Sequence, residues 1–396
     1  MKTGKRVFIT GATGILGNWV VAEALAGGYR PMVLMRDASE AHARERLEQA
    51  LRLAGSAAPV EAVEIVRGDV RHRNFGMTRS AFEHLRTRID LVIHGAASVS
   101  FDPKQDENTW LTNVLGVTHV VDLVADTGIP LYHVSTAYVA GNRLDLVREE
   151  ELDAGQHFKN AYERSKFESE YLLRAAFRDH TIKGAILRPS IIVGAVHEGR
   201  IAQFFNFYGF MRLVDCVMSG RVRHNGRFKI ALEPHCTKNL IPVDWAARAI
   251  WRIIEHEGPS GLNYHLTHPS PVPQGVLIDW ANRHLREHGV YMEAGVVEGH
   301  GSNSLERLAQ LSLRHYGSYL EQEPRFDRTN TDRALEGILP FPEMGMEFFD
   351  ALYRFARAHD WSHPVLIEER PPAPGHGRAA CTGEAWVTAE LAGAPV

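Results

Sequence analysis

Arg6-Val-Phe-Ile-Thr10 runs into Gly11-Ala-Thr-Gly14-Ile-Leu-Gly17 and then into Asn18-Trp-Val-Val-Ala-Glu-Ala-Leu-Ala26, which stops at Gly27-Gly28. The first segment is β-rich, the second is a glycine turn, and the third carries helical apolar periodicity. Strand, glycine turn and helix in this order build the phosphate-cradling start of a dinucleotide-binding fold. Gly11 permits the tight turn, Gly14 lets the backbone approach a pyrophosphate, and Gly17 lets the helix pack closely on the strand. The spacing is Gly-x-x-Gly-x-x-Gly. The whole turn, Thr10, Gly11, Thr13, Gly14, Ile15, Leu16 and Gly17, is assigned to cofactor contact.

Outward from this turn the strand-and-helix pattern repeats. Pro31-Met-Val-Leu-Met35 is a second strand that ends on Arg36-Asp37, where the adenosine ribose is read. An acidic side chain there suits the free 2′-hydroxyl of NAD, and an arginine suits the 2′-phosphate of NADP. Arg36 favours NADP; Asp37, one residue later, is itself within reach of a ribose. A charged helix over residues 39–53 leads to a third strand, Val63-Glu-Ile-Val-Arg67, and then to Gly68-Asp69-Val70. Asp69 suits the adenine amino group and Val70 the ring. Leu91-Val-Ile-His94 is a fourth strand, and the small residues Gly95, Ala96 and Ala97 at its end let backbone lie against a cofactor. The helix beginning at Asn113, also assigned to the cofactor, precedes the fifth strand, Leu131-Tyr-His-Val134. The sixth, Gly184-Ala-Ile-Leu-Arg188, delivers Pro189 and Ser190 to the same crevice. Six strands alternating with helices predict an α/β fold built on a doubly wound parallel (Rossmann) sheet.

The fifth strand hands over Ser135-Thr136-Ala-Tyr138, and 26 residues after Thr136 (162 − 136) comes Asn160-Ala-Tyr162-Glu-Arg-Ser-Lys166. Tyr162 and Lys166 are four apart and share one face of a helix. An ammonium beside a phenol favours the phenolate and lowers the tyrosine pKa, and a nearby hydroxyl binds the reacting oxygen. Thr136 is preferred to Ser135 by its spacing to Tyr-Val-Ala-Gly141, giving Thr136, Tyr162 and Lys166 as the catalytic set.

Between Gly141 and Phe158 an acidic loop (Glu149, Glu150, Glu151, Asp153) reads as a flap over the site. Past Gly194 the aromatic run Phe204-Phe-Asn-Phe-Tyr-Gly-Phe210-Met211 fits a buried helix or the wall of an apolar pocket. Asp244 is placed as the N-cap of a helix that packs back on the sheet, and residues 261–267 form a further strand. The domain division is 1–195 with 239–267 for the nucleotide domain, and 196–238 with 268–365 for a smaller, mostly helical C-terminal substrate domain. Residues 366–396, rich in proline and glycine, form a loose tail.

Charged residues make up 23% of the 396 positions and the net charge is −4, which argues against a nucleic-acid surface. Cys216, Cys236 and Cys381 are too scattered for a disulfide framework or a zinc site. No metal is expected. The N-terminus lacks the apolar core of a signal peptide, and no apolar run approaches the ~20 residues of a membrane span. A cytoplasmic protein is expected.

The residues quoted so far resemble the extended short-chain dehydrogenase/reductase superfamily. Within it the chain is most similar to acyl-thioester reductases: fatty acyl-CoA reductases and the thioester reductase domains that release products from carrier proteins. The likeness rests on residues 10–17, on His94-Gly-Ala-Ala-Ser-Val-Ser-Phe-Asp102, on His133-Val-Ser-Thr-Ala-Tyr-Val139 and on residues 158–166 with Glu170. Residues 187–194 and 241–244 support it. The resemblance implies that a hydride from NADPH reaches a thioester carbonyl carbon while Tyr162 and Thr136 donate to its oxygen, Lys166 lowers the Tyr162 pKa and holds the nicotinamide ribose, and the thiol leaves. The product is an aldehyde or, after a second hydride, an alcohol. The thiol belongs to coenzyme A or to an acyl or peptidyl carrier protein, for which Arg200, Arg212, Arg221, Arg223 and Arg227 are candidate docking residues. A ketone or hydroxysteroid reductase and a nucleotide-sugar epimerase on the same scaffold are the rivals, and a non-catalytic NADP sensor is a third reading.

Overall fold

The computed structural model describes residues 4–36, 39–205, 207–221, 226–295, 304–312 and 322–362. Asp37, Arg223, Cys381 and the tail lie outside the described residues.

Seven parallel strands form one sheet in the order Asn263–Leu266, Lys183–Pro189, Pro130–Val134, Leu91–His94, Arg6–Thr10, Arg30–Met35, Glu64–Arg67. The seventh strand is the further one expected at residues 261–267, paired parallel to Lys183–Pro189 with His265 opposite Arg188. Strand order reverses between Arg6–Thr10 and Leu91–His94. The carboxyl ends on either side of such a reversal open a crevice for ligand.

Both faces of the sheet are covered, which is why its strands read as almost unbroken apolar runs. On one face Val20, Val21 and Ala24 of Gly17–Ala26, Leu47 of Glu40–Leu53 and Ala246, Ile250 and Ile253 of Val243–His256 bury against Val7, Ile9 and Val33. On the other, Phe82, Val117, Val120, Leu123 and Leu173 pack on Phe8, Val92 and Leu131. A separate apolar core gathers Tyr208, Met211 and Val214 of Phe207–Met218, Trp280 and Leu285 of Gln274–Leu285, and Phe349, Leu352 and Tyr353 of Met346–Ala358. Its buried Asp215 accepts from the Tyr353 hydroxyl at 2.8 Å and the Trp361 indole at 3.1 Å, tying the last helix to the aromatic one.

Two expectations are corrected. The N-cap of Val243–His256 is Pro242, and Asp244 sits inside the first turn, accepting from the Val196 amide at 3.3 Å. The acidic loop is not a free flap. Leu146–Val147 pairs with Arg325–Phe326, and Glu149 is fully buried, accepting from the His265 and Asn330 amides and from the Thr331 amide and hydroxyl. A charge that acidic stretches normally give to water is here satisfied by four donors.

Candidate active site

A cleft of about 380 Å³ runs along the carboxyl ends of the central strands. Its floor is the glycine turn. A Cβ on Gly17 would lie 1.9 Å from the Gly11 carbonyl oxygen, and one on Gly11, whose φ is +77°, would lie 2.7 Å from backbone atoms of Gly95 and Ala96. Gly14 is less constrained, its nearest atom being 3.3 Å away. The close approach of the two turns is fixed by Thr10, whose hydroxyl accepts from the Ala96 amide at 3.1 Å and meets His94 Nδ1 at 2.7 Å. Burial drives the His94 pKa down to about 3, so the ring stays neutral.

At one end of the cleft Arg36 stands exposed on the lining beside Arg46 of the following helix. Arg46 donates to the Thr13 hydroxyl at 3.0 Å and so reaches back to the glycine turn. Its sequence position gave no sign of this, because 33 residues separate the two partners. Asp69 lines the same end, but its carboxylate already accepts from the Arg71 guanidinium at 2.6 and 2.9 Å and from the Arg71 amide. Burial works to raise the Asp69 pKa, yet the Arg71 hydrogen bonds outweigh it and hold it below the usual value. Val70, Ala97 and Pro189 lie along the walls. Ser190 does too, and among the described residues its buried hydroxyl and that of Ser135 have no hydrogen-bond partner. Asn113 stands behind the cleft, on a π-helical turn. Its side-chain amide joins Ser98 to Ser165, so it braces the 98 loop against the Tyr162 helix.

The middle of the cleft holds the three residues expected to do chemistry. Asn160 caps the helix Ala161–Arg178 by accepting from the Glu163 amide at 2.9 Å, and Glu163 accepts in turn from the Lys159 amide. This capped first turn fixes Tyr162. The helix is tied to the sheet by a fully buried ion pair, in which Arg188 clamps Glu170 through Nε and Nη2, the latter at 2.6 Å. Thr136, at the end of the neighbouring strand, hydrogen-bonds the Tyr162 phenol, and Phe101 lies 6.3 Å from the same ring. Lys166 is 2% exposed and donates to the Val134 carbonyl at 2.8 Å.

The electrostatics reverse the direction expected from spacing. Burial pushes the Tyr162 pKa up to about 12, against the opposing pull of the Thr136 hydrogen bond. Burial also brings Lys166 down to about 8, although Glu170 works to raise it. In this state the phenol keeps its proton and is set up as a donor. The far end of the cleft is apolar: Val99, Phe101, Ile192, Ile201, Phe205 and Tyr208 line it, with Gln203 and Tyr138 the polar members of that wall. The aromatic run therefore serves two ends, since Phe205 and Tyr208 face the cleft while Phe207, Phe210 and Met211 fill the second core.

The family model described as male sterility protein matches residues 9–250. The L-2-aminoadipate reductase large subunit of Candida glabrata is 23% identical over 314 residues, 74% of this chain and 22% of that protein. The chain thus spans about a fifth of that relative's length. Among solved structures, the terminal R domain from the myxalamid PKS-NRPS biosynthetic pathway superposes with a TM-score of 0.76 at 23% identity, covering 92% of this chain and 93% of that one. A thiolation-reductase di-domain from an archaeal non-ribosomal peptide synthetase gives 0.68 at 18% identity, covering 90% and 76%. These likenesses show a shared fold.

Proposed function

Since the chain belongs to the male sterility protein family, NAD(P)-binding oxidoreductases of the extended short-chain dehydrogenase/reductase type, we propose that it reduces an acyl thioester with NADPH, the thiol being carried by an acyl or peptidyl carrier protein or by coenzyme A. The observation that carries this reading is the cleft itself. It places the Thr136–Tyr162 hydroxyl pair and Lys166 between an arginine-lined end and an apolar end.

The residues present fit the cofactor. The Gly11–Gly17 cradle has no room for a Cβ at either glycine, and among the described residues the buried hydroxyls of Ser135 and Ser190 have no partner. Arg36 and Arg46 supply two guanidinium groups for a 2′-phosphate, which supports NADP over NAD. When bound, the reduced nicotinamide supplies a hydride to the carbonyl carbon. Thr136 and Tyr162 hold the carbonyl oxygen as charge develops on it. Tyr162, kept protonated by its burial, is the acid that quenches that oxygen. Lys166, one helical turn on from Tyr162, is given the role of stabilising the tyrosinate left after donation with its positive charge. The tyrosinate takes the hydroxyl proton back as the carbon–sulfur bond breaks, so the thiolate leaves and an aldehyde remains; a second NADPH would reduce the aldehyde to the alcohol.

The names of the similar proteins, an aminoadipate reductase and a thiolation-reductase di-domain, support thioester reduction and a carrier-bound substrate. The substrate differs in one respect. Among the described residues, the only charged side chains on the lining are Arg36, Arg46, Asp69 and Lys166, so an uncharged acyl group suits the apolar end better than an aminoadipoyl group. A cytoplasmic setting belongs to the same proposal, supported by three cysteines too scattered along the chain for a disulfide framework; no helix among the described residues is long and apolar enough to cross a membrane.

The test is NADPH oxidation by the purified protein with octanoyl, benzoyl and aminoadipoyl thioesters of pantetheine, coenzyme A and a carrier protein, against ketones and nucleotide sugars, with products identified by mass spectrometry. Free thiol with aldehyde or alcohol is expected. Turnover of ketones or sugars alone would refute thioester reduction. Tyr162→Phe should lose about 2–4 kcal/mol of transition-state stabilisation, and full turnover by that variant would remove the phenol from the chemistry.

A further inference from the structure

A carboxylate from far along the chain is buried against a hydroxyl of the cleft wall. Glu323 lies 185 residues beyond Tyr138 in sequence, yet its side chain is 2% exposed and 3.4 Å from the ammonium of Lys238, itself buried. Its Oε1 accepts from the Tyr138 phenol at 2.9 Å and its Oε2 from the Asn239 amide at 2.8 Å. Tyr138 is two residues past Thr136, lines the cleft, and stands edge-on to Phe326 at 6.1 Å. Its own amide donates to the Thr136 hydroxyl at 3.2 Å. The carbonyl of Asn239 accepts from the Ile191 amide at 3.1 Å, directly after Ser190.

Glu323 therefore grips both walls of the cleft. One oxygen holds the turn that carries Thr136, and the other holds the strand that backs Ser190 and Ile191. Thr136 sits where the walls meet, with its hydroxyl 3.4 Å from the Pro189 carbonyl. A buried ion pair contributes little net stability against an apolar replacement, because desolvation offsets the attraction, but it fixes geometry where its hydrogen bonds are all made. A misplacement of a reacting group by a fraction of an ångström is enough to slow catalysis.

We infer that Glu323, charge-balanced by Lys238, is a positioning residue: through the Tyr138 phenol and the Tyr138 amide it sets the Thr136 hydroxyl against Tyr162. This rests on the role given to Thr136 above. It makes turnover depend on a segment 185 residues beyond Tyr138 in sequence.

Tyr138→Phe removes one hydroxyl and keeps the ring, and it forms a double-mutant cycle with Thr136→Ala. Each variant is assayed for kcat and thioester KM, and for NADPH affinity by fluorescence. Tyr138→Phe should lower kcat about tenfold with thioester KM within about twofold and NADPH affinity unchanged. Thr136→Ala should lower kcat about a hundredfold, and Tyr138→Phe added to it should cost nothing more, since the group being positioned is gone. Glu323→Gln, which keeps one acceptor oxygen for the Asn239 N–H and can offer an N–H to the Tyr138 hydroxyl, should lower kcat by no more than Tyr138→Phe does. A kcat unchanged by Tyr138→Phe, losses that multiply in the double variant, or an equal loss of NADPH affinity would each overturn the inference. Full turnover by Thr136→Ala would sink the role of Thr136 in the reaction, and with it the premise.

Discussion

Replacing Lys166 by Met should make the protein more stable at neutral pH and nearly inactive. Lys166 is 2% exposed, and burial lowers its pKa from 10.5 to about 8 in the folded chain. The unfolded chain holds that proton more tightly, so between pH 8 and 10.5 unfolding takes up a proton and stability contributed by this group rises with pH. At 1.36 kcal/mol per unit, keeping the ammonium in the fold below pH 8 costs about 3 kcal/mol. Met fills similar space without charge and loses the hydrogen bond to the Val134 carbonyl, worth about 1 kcal/mol, leaving a net gain of about 2 kcal/mol. Urea unfolding of both proteins at pH 7 and pH 10.5 measures it, because other titrations are common to both and cancel. The variant should be the more stable at pH 7, and because the parent regains about 3 kcal/mol by pH 10.5 the order should reverse there, with the parent ahead by about 1 kcal/mol. Turnover should fall by at least about a hundredfold. A variant less stable than the parent at pH 7, or a difference that does not change with pH, would refute the burial of a charged Lys166.

Three further outcomes follow from distances. Gly17→Ala places a methyl 1.9 Å from the Gly11 oxygen and should cost about 1–3 kcal/mol by thermal unfolding while abolishing NADPH fluorescence enhancement. Gly14→Ala meets only an atom at 3.3 Å, so it should melt within about 1 kcal/mol of the parent. Arg46→Ala should raise the KM for NADPH about tenfold and leave that for NADH unchanged; equal effects on both would place Arg46 away from the 2′-phosphate.

Residues 6–26 were enough to determine the type of fold, because a strand, a turn needing Gly11 and Gly17, and an apolar-striped helix obey rules that act within a few residues. The alternation that follows did the same for the other strands, and apart from Asn113 every residue assigned to the site lies on the lining of one cleft. The Tyr162–Lys166 spacing was legible too, but the direction of the Tyr162 shift was not. Spacing states which groups are neighbours, whereas desolvation is summed over everything packed around them. The same limit hid Arg46, whose partner is 33 residues away, turned the acidic loop around Glu149 into a buried tie, and gave no hint of Glu323. Local sequence decides where strands and helices form; whether a charge ends in water or against another segment depends on contacts that only the closed tertiary structure brings together.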